Sequence, residues 1–184
     1  SEFMDKNYPN GKSELYSAFV LKCLDFTKYC GFTSMITIHT WMFISSFAGL
    51  RKQLIDKTTI TSMVHTGAST FEELNSFNVL ATAFCIRNRP VDNYLSKFIR
   101  LADYYNSIDK VSNFKKFQNE YLFKQKKFYT IPGNPLVYWI SDEAINNFVV
   151  AKPIREYSEP KQGMATADNN QFVRNWFEVS IDKT

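Results

Sequence analysis

The densest group of side chains that could do chemistry in this sequence is a set of lysines between residues 105 and 130. Only Asp109 and Glu120 oppose them, so the segment carries a local charge of +4. Two interpretations stay open: the lysines form an ordinary solvated helix face, or they form a surface that contacts phosphates. The six lysines are Lys110, Lys115, Lys116, Lys124, Lys126 and Lys127.

Other reactive residue types are sparse. The six glycines stand apart from one another, so no phosphate-cradling loop is predicted. His39 and His65 are the only histidines, and with three cysteines that lack short paired spacing they predict neither a metal site nor a disulfide framework. An odd number of cysteines fits a reducing compartment, and we interpret Cys23, Cys30 and Cys85 as buried core thiols.

The bulk composition is that of a globular protein. Of 184 residues, 45% are apolar and 16% aromatic, enough for one domain or parts of two. The chain contains no apolar run of about 18 residues and no secretory pattern, so we expect no membrane association and a cytoplasmic location. Residues 1–3, ahead of Met4, resemble an expression scar. The net charge of +4 permits nucleic-acid binding without requiring it.

The first hundred residues show the alternation of an α/β protein. Ser13 is predicted to cap a helix that runs to about Tyr29 and ends at Gly31, with Phe19 on its buried stripe. A second helix, from Ser45 or Ser46, is predicted to turn Phe47, Leu50 and Leu54 inward and Arg51 and Lys52 outward. Strands are predicted at 32–38, 59–66 and 77–86, the first buried and the last central in a sheet. Three strands are few for a complete sheet and indicate half of a doubly wound domain.

The sequence pattern changes after Arg87, where turn-forming residues replace the alternation of helices and strands. The pattern predicts a short edge strand at 97–102, a helix at 111–121, a Pro/Gly/Asn turn at 131–135 and a helix capped by Ser141 that runs to about Phe148. We place a domain boundary near Tyr104 or Tyr105.

Several stretches, taken in order, resemble a known family. They are residues 12–19 (KSELYSAF), 31–37 (GFTSMIT), 50–54 (LRKQL), 65–71 (HTGASTF), 78–86 (NVLATAFCI), 131–142 (IPGNPLVYWISD) and 159–176. Their succession resembles the second half of the catalytic domain of γ-class N6-adenine DNA methyltransferases, in particular the large methyltransferase of BREX phage-defence systems and related fused restriction–modification enzymes. The resemblance implies the C-terminal half of a Rossmann-like methyltransferase sheet at residues 4–104. The linker and start of a mixed α+β target-recognition region would follow at residues 105–184.

The family's chemistry depends on residues that this sequence lacks. Its catalytic tetrapeptide, Asn-Pro-Pro-Tyr, is absent because no two of the six prolines are adjacent. Its glycine-rich donor loop is absent too. We therefore expect a segment that begins after the catalytic loop, that is inactive alone and that does not bind S-adenosyl-L-methionine tightly.

The resemblance assigns roles to some residues that are present. Phe19 matches an aromatic that packs on the adenine of S-adenosylmethionine, with Tyr16 and Glu14 as weaker candidates for the same pocket. Taken alone, Phe19 is more simply a core residue. Phe71 matches an aromatic that stacks on the flipped target adenine, although an anchor for its own turn is the plainer interpretation.

Double-stranded DNA is the partner that the resemblance implies. Contacts with other defence-system subunits and self-association of the truncated sheet stay open. So does a second hypothesis, in which the chain is a non-catalytic DNA- or protein-binding module such as a specificity or anti-restriction factor. The candidate DNA-binding residues are Lys115, Lys116, Lys126, Lys127, Lys161, Gln162, Asn169, Asn170 and Arg174.

Overall fold

The computed structural model describes residues 2–71, 79–159, 161 and 173–178. The chain divides into two compact units, the first ending at Val150 and the second beginning at Ala151. The first unit contains the sheet and its helices. In the second, the described residues form two short 3-10 turns, Ile154–Glu156 and Trp176–Glu178.

A five-stranded mixed sheet forms the centre of the first unit, in the order β1-β3-β2-β4-β5. β3 runs antiparallel to both β1 and β2, β2 and β4 are parallel, and β5 is antiparallel to β4. β1, β2 and β4 therefore point the same way and end at one edge of the sheet. The strands are β1 (Phe32–Ile38), β2 (Thr59–Gly67), β3 (Ala81–Arg87), β4 (Leu95–Arg100) and β5 (Glu120–Lys124).

Helices cover the sheet unequally. The core lies on one face, where Met63, Phe84 and Phe98 of the strands pack with Trp41 and Leu50. On the other face the side chains are short and α4 covers only part of the surface. The α-helices are α1 (Glu2–Asn7), α2 (Leu15–Phe26), α3 (Ala48–Lys57), α4 (Ser107–Lys115) and α5 (Asp142–Val150). Three 3-10 turns accompany them in this unit: His39–Met42, Ser45–Phe47 and Gln125–Thr130.

The α/β class and most predicted elements of the first hundred residues are confirmed. β1 and β2 match the predicted strands closely, and β3 lies between two neighbours as its apolar pattern predicted. However, β1 was predicted to be buried and is instead an edge strand with largely exposed side chains. Among the described strands it pairs with β3 on one side and has no neighbour on the other.

For the first helix, the sequence predicted the wrong ends and the wrong buried face. Ser13 does not cap it; its hydroxyl donates to the Ser46 carbonyl at 3.2 Å instead. The helix ends at Phe26, before Gly31, whose N–H closes a separate turn on Lys28. Phe19 is 52% exposed rather than buried.

Arg51 was predicted to face outward and is instead 1% exposed. Its guanidinium donates to the carbonyl oxygens of Trp41 (2.7 Å), Ile44 (2.8 Å) and Gly133 (2.6 and 3.0 Å). A buried cation is tolerated because every one of these donors has a partner. Lys52 does face solvent and pairs with Asp56, and Phe47, Leu50 and Leu54 are buried as predicted.

The later elements also differ from the prediction. The described sheet has five strands where four were predicted: β5 was not predicted, and β4, predicted as an edge strand, lies between β2 and β5. The helix predicted at 111–121 is divided: α4 ends at Lys115, Phe117 and Asn119 adopt positive φ, and β5 follows. The helix capped by Ser141 is confirmed, since the Ser141 hydroxyl accepts the Ala144 N–H. All three cysteines are free and only partly buried.

The division predicted at Tyr104 or Tyr105 is not visible as a gap in the sheet, because β5 pairs with β4 across it. A functional boundary there stays a prediction. No helix among the described residues has the length and apolar character needed to cross a bilayer.

Candidate functional site

The carboxyl ends of β1, β2 and β4 meet at one edge of the sheet, the place where ligands bind in open α/β folds. His39 directly follows β1, and its N–H donates to the Leu80 carbonyl. His65 of β2 lies opposite Arg100 of β4 in the parallel register. The chain then leaves β2 through Gly67 and reaches Phe71. This edge is therefore the candidate site.

A short loop, residues 67–71, ends β2, and we call it the edge loop. Gly67 has φ +67°, and a Cβ there would lie 2.8 Å from Ala102, so the position requires glycine. Ser69 also has positive φ, at 51°. The Thr70 hydroxyl lies 2.7 Å from the Gly67 carbonyl and 2.9 Å from the Thr66 hydroxyl, which tightens the loop on itself.

Lys110 of α4 holds the edge loop from outside. Its ammonium donates to the carbonyl of Thr66 at 2.7 Å and to the carbonyl of Ala68. The residue is only 6% exposed, and this burial lowers the pKa of the ammonium. The interpretation of this lysine as part of a solvated helix face is therefore wrong.

Phe71 lies at the far end of the edge loop, with 39% of its surface exposed. The part of the chain that follows, residues 72–78, is outside the described residues. The exposure is intermediate between a core side chain such as Phe84, at 3%, and a fully solvated ring. The ring of Phe71 is therefore only partly buried, and it follows a loop whose backbone is held at Thr66, Gly67 and Ala68.

A cluster of aromatic and basic side chains lies beside the edge loop on the core face. The rings of His39 and His65 contact through Nδ1 and Nε2, 2.6 Å apart. The Arg100 guanidinium lies 4.2 Å from the Trp139 ring centre and donates to Asp103 at 2.9 Å. Burial lowers the pKa of His65 to about 3, and the neighbouring His39 and Arg100 add to this effect. Both imidazoles are consequently neutral at neutral pH, since burial lowers the pKa of His39 as well.

Phe19 and Tyr16, predicted to line one pocket, lie in different surroundings. Phe19 lines an apolar cavity of about 190 Å³ with Phe3, Tyr8 and Leu15. The Tyr16 ring packs instead against Phe47, with its hydroxyl 2.9 Å from the Thr40 hydroxyl.

Glu14 precedes α2 at the N-cap position without a capping hydrogen bond from its side chain, and it is exposed.

The candidate DNA-binding lysines of the first unit do not form one cluster. Lys115 and Lys116 precede β5, and Lys126 and Lys127 follow it, so the five-residue strand separates the pairs by roughly 17 Å. Lys126 and Lys127 are also engaged in exposed ion pairs, with Asp92 at 2.5 Å and Asp142 at 2.7 Å. Exposed pairs of this kind are weak and exchange readily.

The remaining DNA-binding candidates belong to the second unit. Lys161 pairs with Glu159 at 2.8 Å, and Arg174 donates to the Val173 carbonyl at 3.0 Å. Gln162, Asn169 and Asn170 lie outside the described residues.

The sequence patterns missed the two elements that shape this edge, Lys110 and the His39–His65 pair. The histidines carried a usable signal, because both lie at the ends of predicted strands. Lys110 carried none, since a lysine in a charged segment is ordinarily solvated. Within the described ranges, no three His, Cys, Asp or Glu side chains are grouped so as to hold a metal ion.

Known proteins resemble this chain in sequence and in fold. Residues 1–71 match the Eco57I restriction-modification methylase family. The adenine-specific methyltransferase PglX of Lacticaseibacillus casei (strain Zhang) is 33% identical over 190 residues, covering 100% of this chain and 16% of that protein. The adenine-specific methyltransferase BrxX of Escherichia coli O9:H4 (strain HS) is 34% identical over 185 residues, covering 98% of this chain and 15% of that protein.

One solved structure supports the fold assignment. The type I restriction-modification system methyltransferase subunit from Streptococcus thermophilus superposes with a TM-score of 0.52 at 17% identity, over 74% of this chain and 34% of that one. The chain thus spans about one sixth of the length of its curated relatives while matching them along its whole extent. By this whole-length similarity, the chain belongs to the family of adenine-specific methyltransferases of BREX and restriction-modification systems.

Proposed function

We propose that this chain supplies the target-base platform and one wall of the methyl-donor pocket of a site-specific DNA adenine-N6 methyltransferase in a phage-defence or restriction–modification system. One observation carries the proposal. Phe71 is a partly exposed ring on a loop whose backbone is held by Thr70 and Lys110, at the edge where three parallel strands end. A partly exposed aromatic ring at a ligand-binding edge suits capture of a planar base.

Base flipping requires a surface of this kind. The amino group of adenine cannot be reached inside a duplex, so an enzyme that modifies it extrudes the nucleotide and loses the stacking energy of the base. An aromatic platform returns roughly 1–3 kcal/mol of that energy. Phe71 would provide the platform, and lysines around the sheet would contact the phosphates of the flanking strand.

The donor pocket is only partly represented in these residues. When bound, S-adenosyl-L-methionine supplies the electrophilic methyl group. Phe19 fits a role in holding its adenine, because its ring is half exposed beside an apolar cavity and not used in the core. Glu14 lies at the N-terminus of the same helix, α2. Tyr16 packs instead against the core residue Phe47, so it would support the pocket wall without touching the ligand. Polar groups for the amino-acid end and the catalytic tetrapeptide must come from residues outside this sequence.

We expect the chain alone to show no S-adenosylmethionine binding with a micromolar dissociation constant in isothermal titration. An apolar wall without the donor loop buries too little of the ligand to offset the entropy of association. The folded state of the sample is checked by circular dichroism. A micromolar constant that Phe19→Ala abolishes would show that these residues form a complete donor site and would contradict the proposed inactivity.

The platform is tested with Phe71→Ala in a methyltransferase that contains this segment together with the catalytic tetrapeptide. The change should weaken capture of the flipped adenine by roughly 1–3 kcal/mol, measured as the loss in kcat/KM. Phe71→Tyr and Phe71→Trp should retain much of the activity because each keeps a π-face, while Phe71→Leu should not. Affinity for DNA that is abasic at the target position should be unchanged, since no base is there to stack.

Phe84→Ala is the matched control for Phe71→Ala. Phe84 is 3% exposed on the interior strand β3, and its removal should cost roughly 3–5 kcal/mol of stability by leaving a cavity. If Phe71→Ala behaves like this control, lowering stability but sparing turnover in the folded fraction, Phe71 is a turn anchor and the proposed role is wrong.

A further inference from the structure

We propose that Lys110 is the positioning residue for target-base capture: its ammonium fixes the edge loop so that Phe71 meets the extruded base without a further rearrangement. The inference rests on the proposed function of Phe71. It also links α4, the first helix after the predicted domain boundary, to the base-binding edge of the sheet.

The contacts of Lys110 are specific to the backbone of the edge loop. Its Nζ donates to the carbonyls on both sides of Gly67, those of Thr66 and Ala68. These two carbonyls flank the positive-φ residue at which the chain turns away from β2. Two bonds from a single donor therefore define the direction in which the loop leaves the sheet.

Two further features show how the loop is packed on its other sides. Gly67 approaches Ala102 so closely that a Cβ would lie 2.8 Å from its Cα, so the loop is packed between β2 and the segment that leads to α4. The Thr66 hydroxyl donates to the Ala81 carbonyl at 2.9 Å and joins Thr70 to β3. The threonine hydroxyls hold the loop on the side of the sheet, and within the described residues Lys110 holds its backbone from α4.

Burial of a lysine ammonium is energetically unfavourable, so its use to hold a loop needs a reason. At 6% exposure its charge has lost most of its hydration, and no carboxylate neutralises it through a hydrogen bond or ion pair among the described contacts. A hydrophobic side chain would fill the same space at less cost. What the ammonium adds is direction, because it bonds two carbonyls at once. Precise placement of Phe71 is the property that base capture requires.

The test uses the full-length enzyme and duplex DNA with 2-aminopurine at the target adenine, which is identified beforehand from the methylation pattern of DNA modified by the enzyme. Binding of the wild-type enzyme should raise the 2-aminopurine fluorescence as the base leaves the stack. Lys110→Met matches the length of the side chain and removes the donors. It should reduce this signal and, on the unmodified duplex that carries adenine at the target position, lower kcat by about tenfold or more, since misplacement of about 1 Å can cost on the order of a hundredfold. The KM for DNA should not change.

Lys57→Met is the control for loss of one positive charge, because Lys57 is exposed at the end of α3, away from the edge loop. It should leave both readouts unchanged. A Lys110→Met enzyme with a higher KM and unchanged kcat would overturn the inference and indicate phosphate contact. Normal kcat in the folded fraction of a destabilised variant would overturn it in favour of a purely structural role. If Lys110→Met does not fold, Lys110→Gln, which keeps a shorter donor, is judged by the same criteria.

Failure of this inference is distinct from failure of the proposed function. If Phe71→Ala leaves the fluorescence signal and kcat unchanged, the platform itself is wrong. If Phe71→Ala lowers both and Lys110→Met lowers neither, Phe71 is the platform and only its positioning by Lys110 is refuted.

Discussion

Arg51→Ala should lower the free energy of unfolding by roughly 3 kcal/mol or more. The guanidinium donates hydrogen bonds to three carbonyl oxygens, which would all lose their partner in the variant. Each buried polar group left without a partner costs about 1–3 kcal/mol. The three carbonyls belong to two separate segments: Trp41 and Ile44 lie before α3, and Gly133 lies in the turn before Leu136. Arg51 therefore joins the segment before α3 to a turn that lies 82 residues beyond Arg51, and its loss should loosen both.

Urea unfolding of the chain, followed by tryptophan fluorescence and far-UV circular dichroism, measures this effect. Lys52→Ala is the matched control on the same helix. Its exposed pair with Asp56 should be worth at most about 0.5 kcal/mol. Arg51→Lys should fall between the two, because one ammonium cannot reach both segments with the fork geometry of a guanidinium. A loss below about 1 kcal/mol for Arg51→Ala would show that water replaces the lost bonds.

The free energy of unfolding should fall as the pH is lowered from 6.5, because His65 binds a proton in the unfolded chain at a higher pH than in the folded chain. Burial holds the folded pKa at about 3, against 6.5 for a free side chain. Between these values the unfolded chain binds an extra proton, so the free energy of unfolding should rise with pH by up to about 1.4 kcal/mol per unit. The contribution is complete above pH 6.5 and is lost as the pH falls toward 3.

The measurement is the urea midpoint of the chain at intervals from pH 4.5 to 7.5. Carboxylates such as Asp56 and Asp103, whose pKa values are lowered in the folded chain, add a slope of the same sign at the lower end of this range. The slope above about pH 5.5 is therefore the one assigned to His65. His65→Gln should remove most of the slope, and His39→Gln should remove a smaller part. The charges of Arg100, Asp103 and Lys110 also act on His65. A wild-type slope unchanged by His65→Gln would refute the assignment.

Patterns local in sequence predicted the elements that are built from local interactions. Segments rich in β-branched and apolar residues located β1 and β2. Spacing of three and four residues located the buried side chains of Phe47, in the turn before α3, and of Leu50 and Leu54 in α3. The same local logic failed where it treated residue type as a guide to exposure. It placed Phe19 inside and Arg51 outside, and the structure has the reverse.

The candidate site divides in the same way. The resemblance to adenine methyltransferases selected Phe71 and Phe19, and in the structure both residues are partly exposed, at 39% and 52%. Whether they carry out the proposed roles stays a prediction. The Lys110 clamp and the His39–His65 contact came from the structure, since they connect residues 44 and 26 positions apart.

The sequence by itself determined the α/β class, the positions of the main strands and the family to which the chain belongs, because periodicity and ordered motifs are properties of contiguous residues. Only the tertiary structure decided which polar groups are buried and what they hold. A buried charge such as that of Arg51 or Lys110 is stable only where carbonyls from distant segments converge on it, and that convergence depends on the strand order β1-β3-β2-β4-β5. No pattern along the chain records that order, because it depends on which strands pair and not on where each one begins and ends.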